Sequence, residues 1–232
     1  PIPQAWQSGK TQQSFVTPSH SDVDGYVWTN NQDMRAIYRL DPKTGQYEDF
    51  GPQKNELGLT IGGYGIPSDL NNNLYMLEFR VYGGGDALVA GSRIAMIDAK
   101  TKQLSVYPTP TPNSRPRRGR VDAQNRLWFA EYRGNAIGMF DPTTKQIKEW
   151  PMPTKWDDPY DVVMDRNGEI WSASMLTDQV QRLDPKTGAV VEYLLPRKTN
   201  IRRVFVDDKA AHPALWVGSV HAGTIVRVDP LD

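Results

Sequence analysis

Glu78 and Glu131 each stand three residues beyond a large aromatic side chain, Tyr75 and Trp128, while Tyr64, Arg117 and Tyr160 each stand eleven residues before one. With Arg202 they make a set of two carboxylates, two guanidinium groups and two phenols. Carboxylates near arginines suit a polar ligand or a hard divalent cation, Mg²⁺ or Ca²⁺, with Glu131 and Glu78 as the candidate metal ligands. A carboxylate beside a guanidinium stays ionised, which favours cation binding over general-acid work. In a catalytic reading Glu131 holds the cation or acts as base, Tyr160 donates a proton, and Arg117 and Arg202 stabilise an anionic intermediate. In a binding reading the same six residues receive a small polar ligand or a protein partner. The bland reading is a wet, polar surface whose charges are only solvated.

These positions belong to a repeat. Trp128 and Trp171 are 43 residues apart, as are Asp141 and Asp184. From aromatic to turn aspartate is 13 residues in Trp28/Asp41, Trp128/Asp141, Trp171/Asp184 and Trp216/Asp229, and 23 in Tyr75/Asp98, which carries a ten-residue insertion. A period of this length with several strands per unit predicts an all-β propeller of five four-stranded blades, a single domain over residues 1–232 or the C-terminal portion of a longer chain. Residues 9–18 (GKTQQSFVTP) resemble the outer strand at 188–196 (GAVVEYLLP), so the N-terminal strand is expected to complete the last blade and pair its open edge. In a propeller the start of strand one and the end of strand two meet at one mouth of the central channel. That is where Glu78, Glu131, Tyr64, Arg117, Tyr160 and Arg202 (or Arg203) are expected to gather, with His20 the nearest titratable group of the first blade. The insertion, Arg80 to Ser92, falls on the same face and is expected to form a partial lid, or else a neutral hairpin extension.

Two repeating features have sufficient structural explanations. Asp41-Pro-Lys-Thr-Gly45 and Asp184-Pro-Lys-Thr-Gly188 are turns, in which aspartate and proline open the bend and glycine supplies positive φ. An aromatic ring at a constant blade position packs between neighbouring sheets. Gly83-Gly-Gly85 is similar to a phosphate loop but lacks the strand–loop–helix setting such a loop needs.

Composition narrows the classes further. Lysine plus arginine equals aspartate plus glutamate at 27 each, so no overall field favours nucleic acid. No run is apolar enough for a membrane span. There is no cysteine, which removes disulfides and thiolate chemistry, and only three histidines exist, His20, His212 and His221. A monomer exported to the periplasm or the extracellular space is expected, with no organic cofactor.

The runs Pro110-Thr-Pro-Asn-Ser-Arg-Pro116, Leu127-Trp-Phe-Ala-Glu-Tyr132 and Gly134-Asn-Ala-Ile-Gly138 resemble a blade of the virginiamycin B lyase (streptogramin lyase) family. The resemblance runs as repeats over most of the chain and implies a propeller, of seven blades in that family. It also implies Mg²⁺-assisted elimination that opens a cyclic depsipeptide without hydrolysis, resting on histidines and glutamates at the channel mouth. The family's Arg-Pro-His-Ala motif matches Arg115-Pro116-Arg117-Arg118, and its Pro-His-Gly motif matches Pro159-Tyr160-Asp161, so both histidines are replaced. The glutamate of its Trp-Phe-Thr-Glu motif is kept as Glu131. An arginine cannot act as general base near neutral pH. The expectation is therefore a binding propeller of unknown ligand, with a divergent metal-assisted lyase for a polar or cyclic ester substrate as the alternative.

Overall fold

The computed structural model describes residues 20–31, 36–54, 58, 60–82, 92–209, 211–220 and 223–231. Short β-prone runs closed by aspartate- and glycine-rich turns give strands throughout, with one four-residue helical turn, α1 (Ser21–Asp24), among the described residues. The chain divides into two compact units, residues 1–116 with 123–125, and residues 117–122 with 126–232.

The first unit holds β1 (Val27–Asn31), β2 (Ala36–Leu40) and β3 (Tyr47–Pro52) as one antiparallel sheet. A second sheet runs in sequence order through β4 (Thr60–Gly65), β5 (Leu74–Tyr82), β6 (Arg93–Ile97) and β7 (Leu104–Pro108). Trp28, Ile37, Ile61, Ile66, Leu74 and Met76 pack into their shared core. Four strands per blade hold for the second sheet. The first has three, and a strand before α1 would fall outside the described residues. The insertion begins as strand: β5 continues to Tyr82, which pairs with Thr60 of β4. Residues 83–91, and with them the lid, lie outside the described residues.

The second unit, from Arg117 onward, holds three sheets. One is β8 (Pro116–Val121), β9 (Leu127–Glu131), β10 (Ala136–Asp141) and β11 (Gln146–Pro151), and the next is β12 (Pro159–Met164), β13 (Ile170–Ser174), β14 (Gln179–Leu183) and β15 (Val190–Leu194). The last has three strands among the described residues, β16 (Ile201–Asp207), β17 (Ala214–Ser219) and β18 (Thr224–Val228). The segment expected to supply its fourth strand, residues 9–18, lies outside the described residues.

Three of the repeating tryptophans, Trp28, Trp128 and Trp171, are core, as their constant position implies, while Trp216 is half-buried. Trp128 packs with Val162, Ile170 and Leu183 of the following sheet, and Trp171 with Ile201, Val204 and Leu215 of the one after. Each indole N–H is satisfied: Trp128 donates to Asp122 Oδ2 and Trp171 to Asp165 Oδ2, both at 2.9 Å. A second aromatic slot, 22 residues on, meets the first. Phe50, Trp150 and Tyr193 lie 5.1, 5.2 and 5.9 Å from Trp28, Trp128 and Trp171, centroid to centroid.

Candidate ligand-binding site

A polar slot between strands two and three sets the loops that carry the site. Asn135 Oδ1 accepts from the amides of Asp157 (2.8 Å) and Asp158 (3.3 Å), and its Nδ2 donates to Thr154 O at 2.9 Å. Forty-three residues on, Asp178 Oδ1 accepts from Thr199 N at 2.6 Å, and forty-three residues before, Ser92 Oγ accepts from Ser114 N at 3.1 Å. Each side chain thus latches the link that leads into the next inner strand. In the middle copy the latched link is the one that delivers Asp157 and Asp158 to the start of β12.

There Arg117 of β8 and Tyr160 of β12 meet. Arg117 Nη2 donates to Tyr160 Oη at 2.8 Å, and its guanidinium carbon lies 3.8 Å from the Tyr160 ring centroid and 4.6 Å from that of Tyr132. The two rings stand edge to face, 6.2 Å apart at 87°. A guanidinium between two π faces is held in one orientation and favourably solvated by them. The Tyr132 phenol donates to Asp158, whose carboxyl is pushed up by burial, while Arg133, the Tyr132 hydroxyl and Arg117 pull it back. Burial and Asp158 in turn raise Tyr132, keeping its proton on the phenol. Asp157 is fully buried; Oδ1 accepts from the Thr177 hydroxyl, and its carboxyl is pushed up to about 6, chiefly by burial.

One step further along the inner strands, buried Asp161 lies between Arg120 (3.4 Å) and Arg203 (3.8 Å) and accepts from Val204 N at 3.3 Å. This triad ties β8, β12 and β16 together. Burial still pushes the Asp161 carboxyl up, against the pull of Arg120, Arg203 and Arg118.

The sequence-derived residues fall into different places. Arg117 and Tyr160 are in direct contact. Glu131, the last residue of β9, is fully buried in the same unit. Arg202 is exposed beside the bulge between Ile201 and Val204 and donates to Asn200 Oδ1 at 2.8 Å, and it is Arg203 that reaches an acid. Tyr64 is half-buried in β4 of the first unit, one residue past Gly63, the ladder partner of Glu78 on β5. The Glu78 side chain lies outside the described residues. His20 is tied to Ser68, with Nδ1 3.1 Å from Ser68 O. His212 is exposed and lines a cavity of about 230 Å³ with Trp171, Glu169 and Arg182. His221 lies outside the described residues. Spacing alone missed Tyr132, Arg133, Asp157 and Asp158, although the latch at Ser92, Asn135 and Asp178 was countable.

The virginiamycin B lyase family model matches residues 86–231, more than half of the chain. The chain belongs to the virginiamycin B lyase family. Among solved structures, it is similar to a catalytically inactive variant of virginiamycin B lyase from Staphylococcus aureus with quinupristin: 22% identity, TM-score 0.74, covering 93% of this chain and 66% of that one. A streptogramin B lyase structure matches at 19% identity and TM-score 0.59, covering 96% of this chain and 88% of that chain. The hydrazine synthase of Kuenenia stuttgartiensis matches at 14% and 0.63, covering 94% and 65%. At such identities the likeness shows the fold, an all-β propeller. This chain spans slightly less than two thirds of the first relative's length. No curated protein sequence matches it.

In this member of the virginiamycin B lyase family, the two positions where the family motifs carry histidine hold Arg117 and Tyr160, bonded to each other. Among the described residues no three His, Asp or Glu side chains gather as a set able to hold a metal ion. Around Arg117 stand the Tyr160 and Tyr132 phenols, the Asp158 carboxyl hydrogen-bonded to Tyr132, and the Arg133 guanidinium, so a single carboxylate shares its surroundings with two cationic groups.

Proposed function

We propose that this virginiamycin B lyase family member binds a small polar ligand without opening it, through Arg117, Tyr160, Tyr132 and Asp158, with Glu131 beside them. The observation that carries this reading is the Arg117–Tyr160 contact at the two motif positions. A guanidinium cannot take a proton near neutral pH, and Tyr160, hydrogen-bonded to a cation, offers a donor and no base. Both side chains are preorganised to hold a carbonyl or anionic oxygen. Quinupristin, the compound named with the Staphylococcus aureus relative, is the first probe. Titration calorimetry is expected to show quinupristin binding to the wild type and loss of that binding in Arg117→Ala. Equal binding by both proteins would overturn the assignment.

A divergent lyase is the second reading, and one observation favours it: Tyr132 and Asp158 form a hydrogen-bonded acid–base pair beside Arg117. Asp158, with its carboxyl pushed up by burial, is the base of that version. A metal-assisted form needs Glu131. Calorimetry with Mg²⁺ and Ca²⁺ on wild type and Glu131→Gln tests it: no heat, or the same heat in both, removes the metal.

A further inference from the structure

Trp156 is 74% exposed, and its backbone sits at φ 62°, in the left-handed region that bulky side chains avoid. Forty-three residues earlier the same slot holds Asn113 at φ 55°, and asparagine tolerates that backbone. The repeat therefore explains the left-handed turn and leaves the indole unexplained. The segment is also pinned on both sides. Thr154 donates through its amide and hydroxyl to Glu192 (3.1 and 2.8 Å), and Asn135 holds Thr154 O and Asp157 N. An exposed indole on a pinned, strained backbone is unfavourable twice over in the protein alone. Strain of this kind collects at ligand clamps.

The surroundings say what would cover the ring. Leu176, 57% exposed, tips the neighbouring loop, which joins the Trp156 segment through Met175 N to Asp158 O at 3.3 Å. Ser174 Oγ fixes that loop by accepting from the amides of Leu176 and Thr177. Two residues past Trp156, Asp158 leads to Tyr132, and exposed Arg133 holds its guanidinium 5.9 Å from the Tyr132 ring centroid. The loops bearing these apolar side chains, and the exposed Arg133, thus connect to the buried Arg117–Tyr160 pair through Asp158 and Tyr132.

We propose that Trp156 and Leu176 form an apolar subsite at the rim of the Arg117–Tyr160–Tyr132 cluster, taking the planar ring of a small anionic ligand whose charge rests on Arg133. The inference builds on the reading of that cluster as the binding site. A flat ring stacks on the indole in the way bases stack on aromatic platforms, and an aromatic carboxylate is the simplest member of the class.

Indole-3-acetate, with acetate as its ringless control, is the probe, followed by calorimetry. The wild type is expected to bind indole-3-acetate and to bind acetate far more weakly. Trp156→Asn, which removes the ring but suits the backbone, is expected to weaken indole-3-acetate binding roughly 5- to 150-fold without lowering the melting temperature. Trp156→Phe should keep most of the affinity. Unchanged affinity in Trp156→Asn, or no binding of indole-3-acetate to the wild type at millimolar concentration, overturns the subsite. If Arg117→Ala abolishes binding while Trp156→Asn leaves it intact, the cluster reading stands and the subsite falls. If Trp156→Asn weakens binding and Arg117→Ala does not, the subsite stands and the cluster reading falls.

Discussion

Arg117 and Tyr160 reach each other because both begin an inner strand eleven residues before a core tryptophan, a relation countable in the sequence. Their partners Tyr132 and Asp158 were not legible, since the contact depends on a latched, left-handed turn at Trp156 and Asp158. The bulge between Ile201 and Val204 likewise explains why counting left Arg202 and Arg203 undecided. Tyr160→Phe keeps the ring beneath the guanidinium and removes the hydrogen-bonded hydroxyl. It is expected to destabilise by about 1.5–3 kcal/mol in urea unfolding, the range for hydrogen bonds to charged groups. Asp157 gives the pH dependence. Burial raises its carboxyl to about 6, with the Thr177 hydroxyl opposing and Glu192 and Asp158 adding to the rise. The unfolded carboxyl titrates near about 3.9, so between those values the folded protein binds the extra proton. Stability therefore falls as pH rises from roughly 4 to 6, by on the order of 2–3 kcal/mol, and levels off above. Asp158 and Asp161, also raised by burial, act with the same sign. The turn aspartates Asp41, Asp98 and Asp141, held low chiefly by backbone amides, and Asp184, held low chiefly by the Thr187 hydroxyl, act oppositely and lose their contribution in stronger acid. Asp157→Asn should flatten the pH 4–6 slope measured by denaturant unfolding; an unchanged slope contradicts the assignment.

At the scale of elements, the strands were legible because turn chemistry and aromatic spacing agree. Asp41 caps its turn by accepting from Lys43 N at 2.8 Å and the Thr44 hydroxyl at 2.9 Å, and Gly45 takes φ 71°. Where the glycine is missing, Lys102 and Lys145 take the same left-handed backbone at 62° and 59°. A glycine is also needed at 138, where a Cβ would stand 2.3 Å from Phe129 Cζ. The second, third and fourth sheets have the expected four strands, and the segment expected to complete the last, residues 9–18, lies outside the described residues. The latch is the element-scale device the site depends on. Asn135→Ala removes the acceptor for two amides and the donor to Thr154 O, and is expected to destabilise by about 1–3 kcal/mol. Its signature is quinupristin binding lost more steeply than stability, because the link carrying Asp158 is released. Equal losses in Asp178→Ala, whose latch serves a different link, would show a general destabilisation instead.

At the scale of the molecule, the five antiparallel sheets among the described residues, cores built on repeating tryptophans and the family match agree on a propeller of the virginiamycin B lyase family. No helix among the described residues is long and apolar enough to cross a membrane. Fold followed from spacing because blade geometry is enforced by packing at every repeat. Function did not, because the proposed reading turns on the residue types at two slots, Arg117 and Tyr160, that the blade leaves unconstrained. The most direct measurement incubates the protein with quinupristin and Mg²⁺ and follows the compound by chromatography with mass spectrometry. Elimination would yield a ring-opened isomer of unchanged mass, and hydrolysis a product heavier by one water. The account expects quinupristin to be bound and recovered intact; a ring-opened isomer that forms with wild type and not with Asp158→Asn would contradict it.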